Sequence, residues 1–120
     1  MVDIRRHAER LLVSGSIVAT GTLTSATWNV SKGQKFNVAL EALAGTSPEI
    51  DIDLHFCTGL NGGGLDYTLS IATAVSAAPS TPYGPLDTDD YIFKSAYLVA
   101  TGTASNHATD TTATLALMVY

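Results

Sequence analysis

One strand-like segment carries the residue types that most often do chemistry. Glu49, Asp51, Asp53 and His55 alternate with apolar residues, and Cys57 follows two positions after the histidine. A thiol beside an imidazole can act as a nucleophile with its base, provided that its pKa is lowered. Residues i and i+2 of an extended strand lie roughly 7 Å apart, however, because of the rise per residue. We therefore expect no catalytic dyad, and we expect Cys57 to be a small buried thiol.

Two groups of acidic residues are candidate metal sites. The carboxylates of residues 49–53 spread over about 13 Å along an extended strand, so they fit a solvent-exposed strand face better than an ion site. Asp87, Asp89 and Asp90 lie closer together, and calcium binds several carboxylate oxygens at once. These aspartates lack the spacing of a calcium-loop motif. We predict no metal and no cofactor, and calcium at residues 87–90 stays an open alternative.

The other motifs do not form a catalytic set. No serine stands in a nucleophile-elbow pattern, and the glycine-rich residues 61–64 lack the Lys-Ser/Thr pair that a phosphate-binding loop requires. His7, His55 and His107 are too far apart in sequence to be paired zinc ligands. We therefore expect residues 61–64 to form a flexible turn and the protein not to be an enzyme.

The composition is that of a folded domain with an acidic balance. Of 120 residues, 46% are apolar and 14% charged, whereas a disordered chain shows more charge and less hydrophobicity. Six basic and eleven acidic residues give a net charge of −5, so no nucleic-acid partner is expected. No apolar run approaches the ~20 residues that span a membrane. The small number of charges favours burial of some surface in an assembly.

The N-terminal segment holds half of the basic charge. Arg5, Arg6 and Arg10 lie either in a solvated arm or in a contact with a partner. Residues 1–13 are predicted to form this arm, with a short helix as the alternative, and residues 14–120 are predicted to form the domain. Ser14, Gly15 and Ser16 interrupt the apolar run that follows the arginines, and Asp3 and Glu9 are unusual in a charged leader, so no signal peptide is expected.

Alternation of polar and apolar residues predicts the secondary structure. In residues 49–56 every odd position is polar and every even position apolar, as in a strand with one wet face and one buried face. Further strand patterns occur in residues 16–30, 36–42, 67–75, 91–101 and 111–120. With turn residues between them, they predict about seven or eight strands. We therefore predict an all-β protein, a single-domain antiparallel β-sandwich of the jelly-roll or Ig-like kind.

A proline-rich segment interrupts this pattern. Residues 77–90 are predicted to form a stiff loop that is too long for a tight hairpin. Tyr83 stands between Pro82 and Gly84 and is the aromatic residue that we expect to be exposed and available for contact. An exposed ring beside acidic residues supports an alternative function, a ligand-binding module for carbohydrate that uses Tyr83 and residues 87–90.

Three segments resemble small all-β virion proteins of tailed bacteriophages. They are Leu-Ala-Gly-Thr-Ser-Pro-Glu-Ile-Asp-Ile at residues 43–52, Ser-Ala-Tyr-Leu-Val at residues 95–99 and Ala-Thr-Leu-Ala-Leu at residues 113–117. In such proteins a strand ending in Gly-Thr-Ser-Pro leads into an alternating strand, and the chain closes on Thr/Ala-rich strands. The likeness covers the last two thirds of the chain. It implies a capsid decoration protein or a head or tail component, and it brings no catalytic residues.

These observations favour a non-enzymatic structural protein of the phage particle, of decoration or cement type. Its expected partners are other copies of itself and the major capsid protein or another virion protein. The candidate interface residues are Arg5, Arg6, Arg10 and Tyr83. Adhesion of this kind packs apolar and hydroxyl-rich surfaces together and desolvates few charges.

Overall fold

Strands make up the regular structure of the chain. The computed structural model describes residues 9–30, 34–86, 93–106 and 110–120. The strands are β1 (Glu9–Ser16), β2 (Thr22–Thr24), β3 (Trp28–Asn29), β4 (Phe36–Ala44), β5 (Ile50–Cys57), β6 (Asp66–Val75), β7 (Tyr83–Leu86), β8 (Ser95–Gly102) and β9 (Thr112–Val119). A single turn of 3-10 helix, Leu60–Gly62, lies between β5 and β6. No helix in these ranges is long and apolar enough to cross a membrane.

The strands form two antiparallel sheets. The four-stranded sheet has the order β1-β9-β4-β7, and the five-stranded sheet has the order β2-β8-β5-β6, with β3 also paired to β8. This arrangement confirms the predicted all-β antiparallel sandwich. Among the described strands, only β5 and β6 are neighbours both along the chain and within a sheet. The other pairings join segments that are distant in sequence.

The core lies between the sheets and is built by the alternating positions of the long strands. Every even residue of β5, from Ile50 to Phe56, is buried, as the alternation predicted. Phe56 meets Phe36 of β4 edge to ring, with 5.3 Å between the ring centroids. The same cluster contains Val38, Leu40, Leu98, Leu115, Leu117 and Val119. Burial of each large apolar side chain stabilises the fold by about 1.5–3 kcal/mol, so these rows drive the packing of the two sheets.

The observed strands differ from the predicted ones at the N-terminus. β1 begins at Glu9 and pairs with β9, so residues 9–13 belong to a strand although they were assigned to the arm. Residues 1–8, the rest of the predicted arm, lie outside the described residues. Residues 16–30 contain two short strands, β2 and β3, and the described strands therefore number nine rather than seven or eight.

The prediction of a stiff loop at residues 77–90 was wrong for residues 83–86, and residues 87–90 lie outside the described ranges. β7 lies inside this segment and pairs with β4 at the edge of the four-stranded sheet. Pro85 had argued against a strand, because proline cannot donate to a ladder. An edge strand tolerates proline, since one side of its backbone has no partner strand.

A buried amide joins the connections at one end of the sandwich. Asn106 is 3% exposed and lies in the connection between β8 and β9. Its Nδ2 donates to the carbonyl oxygens of Ile17 and Ala19 over 3.2 and 2.7 Å. Its Oδ1 accepts from the Glu49 N–H over 3.1 Å and from the Thr111 hydroxyl over 2.9 Å. We call Asn106 and these four partners the Asn106 junction.

Candidate functional site

The outer face of the five-stranded sheet carries three of the polar residues that the sequence singled out, Asp51, Asp53 and His55. On this face Tyr97 of β8 and Thr68 of β6 lie directly opposite His55 of β5. Directly opposite residues of antiparallel strands point to the same side of a sheet, so their side chains can meet. The acidic face consists of Asp51, Asp53, His55, Asp66, Thr68 and Tyr97.

A hydrogen-bonded cluster occupies one end of the acidic face. The Tyr97 hydroxyl donates to Asp66 Oδ2 over 2.6 Å, and His55 Nδ1 lies 2.9 Å from Asp66 Oδ1. Thr68 Oγ1 lies 3.2 Å from the same histidine nitrogen. The imidazole stacks on the phenol ring, with centroids 4.5 Å apart and an interplanar angle of 9°. The cluster thus links β5, β6 and β8 side by side.

The electrostatics of this cluster do not favour proton transfer. The hydrogen bond to Asp66 raises the pKa of Tyr97 to about 12, with burial adding to the effect. The same bond lowers the pKa of the Asp66 carboxyl, against the opposing effect of burial. A general acid or base works best when its pKa is near the operating pH. At neutral pH Tyr97 is instead a bound donor and Asp66 an ionised acceptor.

Two further carboxylates bind groups of their own chain. Asp51 Oδ1 accepts the Ala74 N–H over 2.8 Å, where β6 bulges away from regular pairing and Ala74 has a φ of 51°. Glu49 Oε1 accepts the Thr103 hydroxyl over 2.8 Å. The polar residues of segment 49–55 are half-buried, so the strand face predicted to be wet is partly covered. A bulge on an edge strand also hinders pairing with another chain.

The candidate nucleophile and metal ligands are placed as follows. Cys57 is 1% exposed, which confirms the expected buried thiol, while the nearby imidazole of His55 uses its Nδ1 for Asp66 and Thr68. Within the described ranges, no three His, Cys, Asp or Glu side chains gather as metal ligands would. The other residues weighed as ligands, His7, Asp87, Asp89, Asp90 and His107, lie outside those ranges.

Arg10, one of the predicted interface arginines, forms an ion pair within its own sheet. Its Nε donates to Glu41 Oε1 over 2.7 Å, and its Nη2 contacts Glu41 Oε2. Because β9 lies between β1 and β4, the pair crosses over β9, where the outward-facing Ala116 is 0% exposed. Hydrogen bonding to Glu41 raises the pKa of Arg10 further above its ordinary value. Arg5 and Arg6 lie outside the described residues.

Tyr83 is not the exposed loop residue that the sequence predicted. It begins β7 and packs, half-buried, against the hydrophobic core beside Leu86. The register pairs Tyr83 with Val38 of β4, which is fully buried. The carbohydrate-binding alternative relied on an exposed ring at this position, and that support is lost.

Sequence reasoning missed the most exposed large apolar side chains of the described residues. Leu65 is 78% exposed and Leu60 is 57% exposed, and both lie in the connection between β5 and β6. We call residues 58–65 the β5–β6 loop. Thr58 closes its base, because the Thr58 N–H donates to the Leu65 carbonyl over 3.0 Å and the Thr58 hydroxyl accepts the Leu65 N–H over 2.8 Å. The only signal in the sequence was that Leu60 and Leu65 flank the glycine-rich turn.

Comparisons with known proteins identify the fold. No protein-family model matches the chain, and no curated protein sequence does. A structure of the Gx strain of infectious bursal disease virus matches 98% of this chain and 34% of its own, with a TM-score of 0.57 and 15% identity. A mutant VP2 protein of infectious bursal disease virus, from derived T=1 particles, matches 98% of this chain and 32% of its own, with a TM-score of 0.54 and 12% identity. The chain thus spans about a third of the length of these chains, and it shares the fold of that part.

Proposed function

We propose that this chain is a structural module of a virion that acts by assembling with other subunits. The observation that carries the proposal is the fold, because 98% of the chain superposes on chains from infectious bursal disease virus, one of them from T=1 particles. A T=1 particle is a closed shell of identical copies. A fold can host many functions, so the surface must supply independent support.

The outer face of the four-stranded sheet suits contact with another protein. Its residues are small or uncharged around the Arg10–Glu41 pair, and the hydroxyls of Ser14 and Thr114 bond each other over 2.8 Å. Leu12, 51% exposed, lies on the same face. Packing such a face desolvates few charges, whereas two acidic faces would repel each other. Copies of this chain are therefore better able to meet through neutral surfaces than through the acidic face.

The proposal extends to the kind of virion and to the partners. The resemblance of residues 43–52, 95–99 and 113–117 to small virion proteins of tailed bacteriophages supports a decoration or cement protein. Its partners would be the major capsid protein and other copies, with no nucleic acid, membrane or cofactor. The absence of an enzymatic role belongs to the same proposal, and it is supported by the acidic face, where Asp66 holds the hydrogen bond of Tyr97.

Binding to assembled particles tests the proposed function. Particles of the virus that encodes this chain, prepared without it, would be mixed with the purified chain and sedimented. We expect saturable binding with a fixed ratio of chain to capsid subunit, because a lattice repeats one site. Electron microscopy would then show regular added density. No binding to particles, together with absence of the chain from purified virions by mass spectrometry, would contradict the proposal.

A further inference from the structure

The β5–β6 loop presents apolar surface to solvent at one end of the five-stranded sheet. Its two leucines are the most exposed large apolar side chains of the described residues, at 78% and 57%. Tyr67, 45% exposed, follows two positions after Leu65 at the beginning of β6. Grouped apolar residues that are rimmed by polar ones mark protein interaction sites more often than scattered ones do.

Hydrogen bonds to two other strands hold this loop in place. The Ser95 hydroxyl of β8 donates to the Gly59 carbonyl over 2.6 Å and accepts the Gly62 N–H over 2.9 Å. Asn29 of β3 accepts the Asn61 N–H over 2.9 Å, and the two side-chain amides bond each other over 3.1 Å. The sequence predicted a flexible turn, but the loop is a preorganised one. A preorganised contact loses less conformational entropy on binding than a mobile one.

The charges around the loop are those of a surface that can meet its own copy. Residues 57–65 include no charged side chain, in a chain whose net charge is −5. Two such chains repel each other overall, so they approach most readily where no charge is brought together. Of the described residues, two with opposite charges lie beside the loop: the exposed Lys94, whose N–H bonds the Cys57 carbonyl over 2.9 Å, and Asp66, which follows Leu65. An apolar centre with one cation and one anion on its rim is complementary to itself.

We infer that the β5–β6 loop is a contact between copies of this chain, in which Leu60 and Leu65 of neighbouring subunits are buried against each other. The inference rests on the proposed function, because only an assembling protein needs such a contact. The same patch then serves on every subunit around a rotation axis. A pair of leucines provides much less than the ~800 Å² per partner of a stable interface. The contact therefore acts together with others, and repetition in the assembly multiplies its effect.

Sedimentation velocity of the full 120-residue chain over a series of concentrations tests the inference. The variant is Leu60→Ser/Leu65→Ser, and the matched control is Val18→Ser, which changes a valine that is 52% exposed in the connection between β1 and β2. We expect the double variant to weaken self-association by about ten-fold or more, since buried leucines are lost from the contact. The self-association constant of the control should stay within about two-fold of that of the original chain, because no apolar side chain is lost from the contact. Melting curves would show that both variants are folded.

Each other outcome identifies which idea fails. Unchanged self-association of the double variant places the contact elsewhere and overturns the inference, while the proposed function stands. Retained self-association with lost particle binding assigns the loop to a different protein and also overturns it. A chain that stays monomeric at every concentration and does not bind particles overturns both.

A cysteine variant gives a second measurement that does not depend on weakened binding. Leu65→Cys adds a thiol at an exposed position, while the native Cys57 is buried. Disulfides form only when two Cα atoms approach within about 7 Å. In an oxidising buffer we expect Leu65→Cys to give linked dimers and Val18→Cys to give far fewer. Equal linkage of the two variants would contradict a contact at the loop.

Discussion

The Asn106 junction and the His55–Asp66–Tyr97 cluster are both polar networks between distant segments, but they differ in burial. Asn106 is 3% exposed and its partner Thr111 is 0% exposed, whereas the Asp66 side chain is 44% exposed. A hydrogen bond contributes about 0.5–1.5 kcal/mol net, while a buried polar group that has lost its partner costs about 1–3 kcal/mol. Similar bonds therefore have different consequences. The Asn106 junction therefore affects mainly the stability of the fold, and the cluster affects mainly the pKa values of Tyr97 and Asp66.

The largest effect is expected at the junction. Asn106→Ala removes the amide from two carbonyl acceptors, one N–H donor and one hydroxyl. We expect the free energy of unfolding to fall by about 2–4 kcal/mol, because the partners stay buried without hydrogen bonds. Urea denaturation at neutral pH measures the loss. Asn29→Ala is the control, since it removes an exposed amide with two hydrogen bonds.

Equal losses in these two variants would contradict the comparison. They would mean that burial does not decide the value of the hydrogen bonds in this fold. A loss at Asn106 that is much larger than at Asn29 would support it, and Asn106→Asp would sharpen it further. The aspartate keeps an acceptor for Glu49 and Thr111 but cannot donate to Ile17 and Ala19.

The intermediate effect is expected in the His55–Asp66–Tyr97 cluster, where a substitution should change the pKa of Tyr97. Asp66→Asn removes the anion that raises the pKa of Tyr97 to about 12, so we expect this pKa to fall towards the ordinary tyrosine value near 10. Absorbance of tyrosinate during an alkaline titration measures the shift in one of the five tyrosines. Asp53→Asn is the control, because it removes a carboxylate from the same face. An unchanged titration of Asp66→Asn would show that the hydrogen bond does not hold the tyrosine proton.

The same bond predicts two pH windows for stability. The pKa of Tyr97 is raised in the folded state. Its contribution to the free energy of unfolding is therefore present below about pH 10 and is lost as the pH rises through about 12. The pKa of Asp66 is lowered in the folded state. Its contribution to the free energy of unfolding is therefore present above about pH 4 and is lost as the pH falls through the pKa of Asp66 in the folded protein. Solvent screens the exposed Asp66 and the half-buried Tyr97, and both losses should be smaller than the loss in Asn106→Ala.

The smallest effect is expected for the surface ion pair. Arg10→Ala removes the bond to Glu41 across β9, but water and salt screen a pair whose arginine side chain is 52% exposed. We expect a slightly lower melting temperature at low salt and no difference at high salt. Arg10→Lys should behave almost like Arg10→Ala, since lysine cannot offer two parallel donors to the carboxylate. A large loss of melting temperature at every salt concentration would show that Arg10 stabilises the fold by covering β9 and not only by its attraction to Glu41.

The sequence alone determined the long strands and the buried rows. Alternation is a local property, because successive side chains of a strand point to opposite faces. It therefore identified β5 and β9 and their core residues, and it predicted a buried Cys57. The all-β class followed from the same pattern. Composition added the acidic balance, and the resemblance added a virion role, which stays a proposal.

The pairing of strands, and with it every candidate site, was decided only by the tertiary structure. Asp66 meets Tyr97 because β6 and β8 flank β5. The alternation within one strand does not specify which strands are its neighbours. Asn106 is buried because three connections converge on it, although its neighbours in sequence are polar. Tyr83 lies in a strand because an edge accepts proline. The exposure of Leu60 and Leu65 likewise depends on a loop that β3 and β8 hold in place. Local patterns encode which face of a strand is apolar, but long-range contacts decide what each face meets.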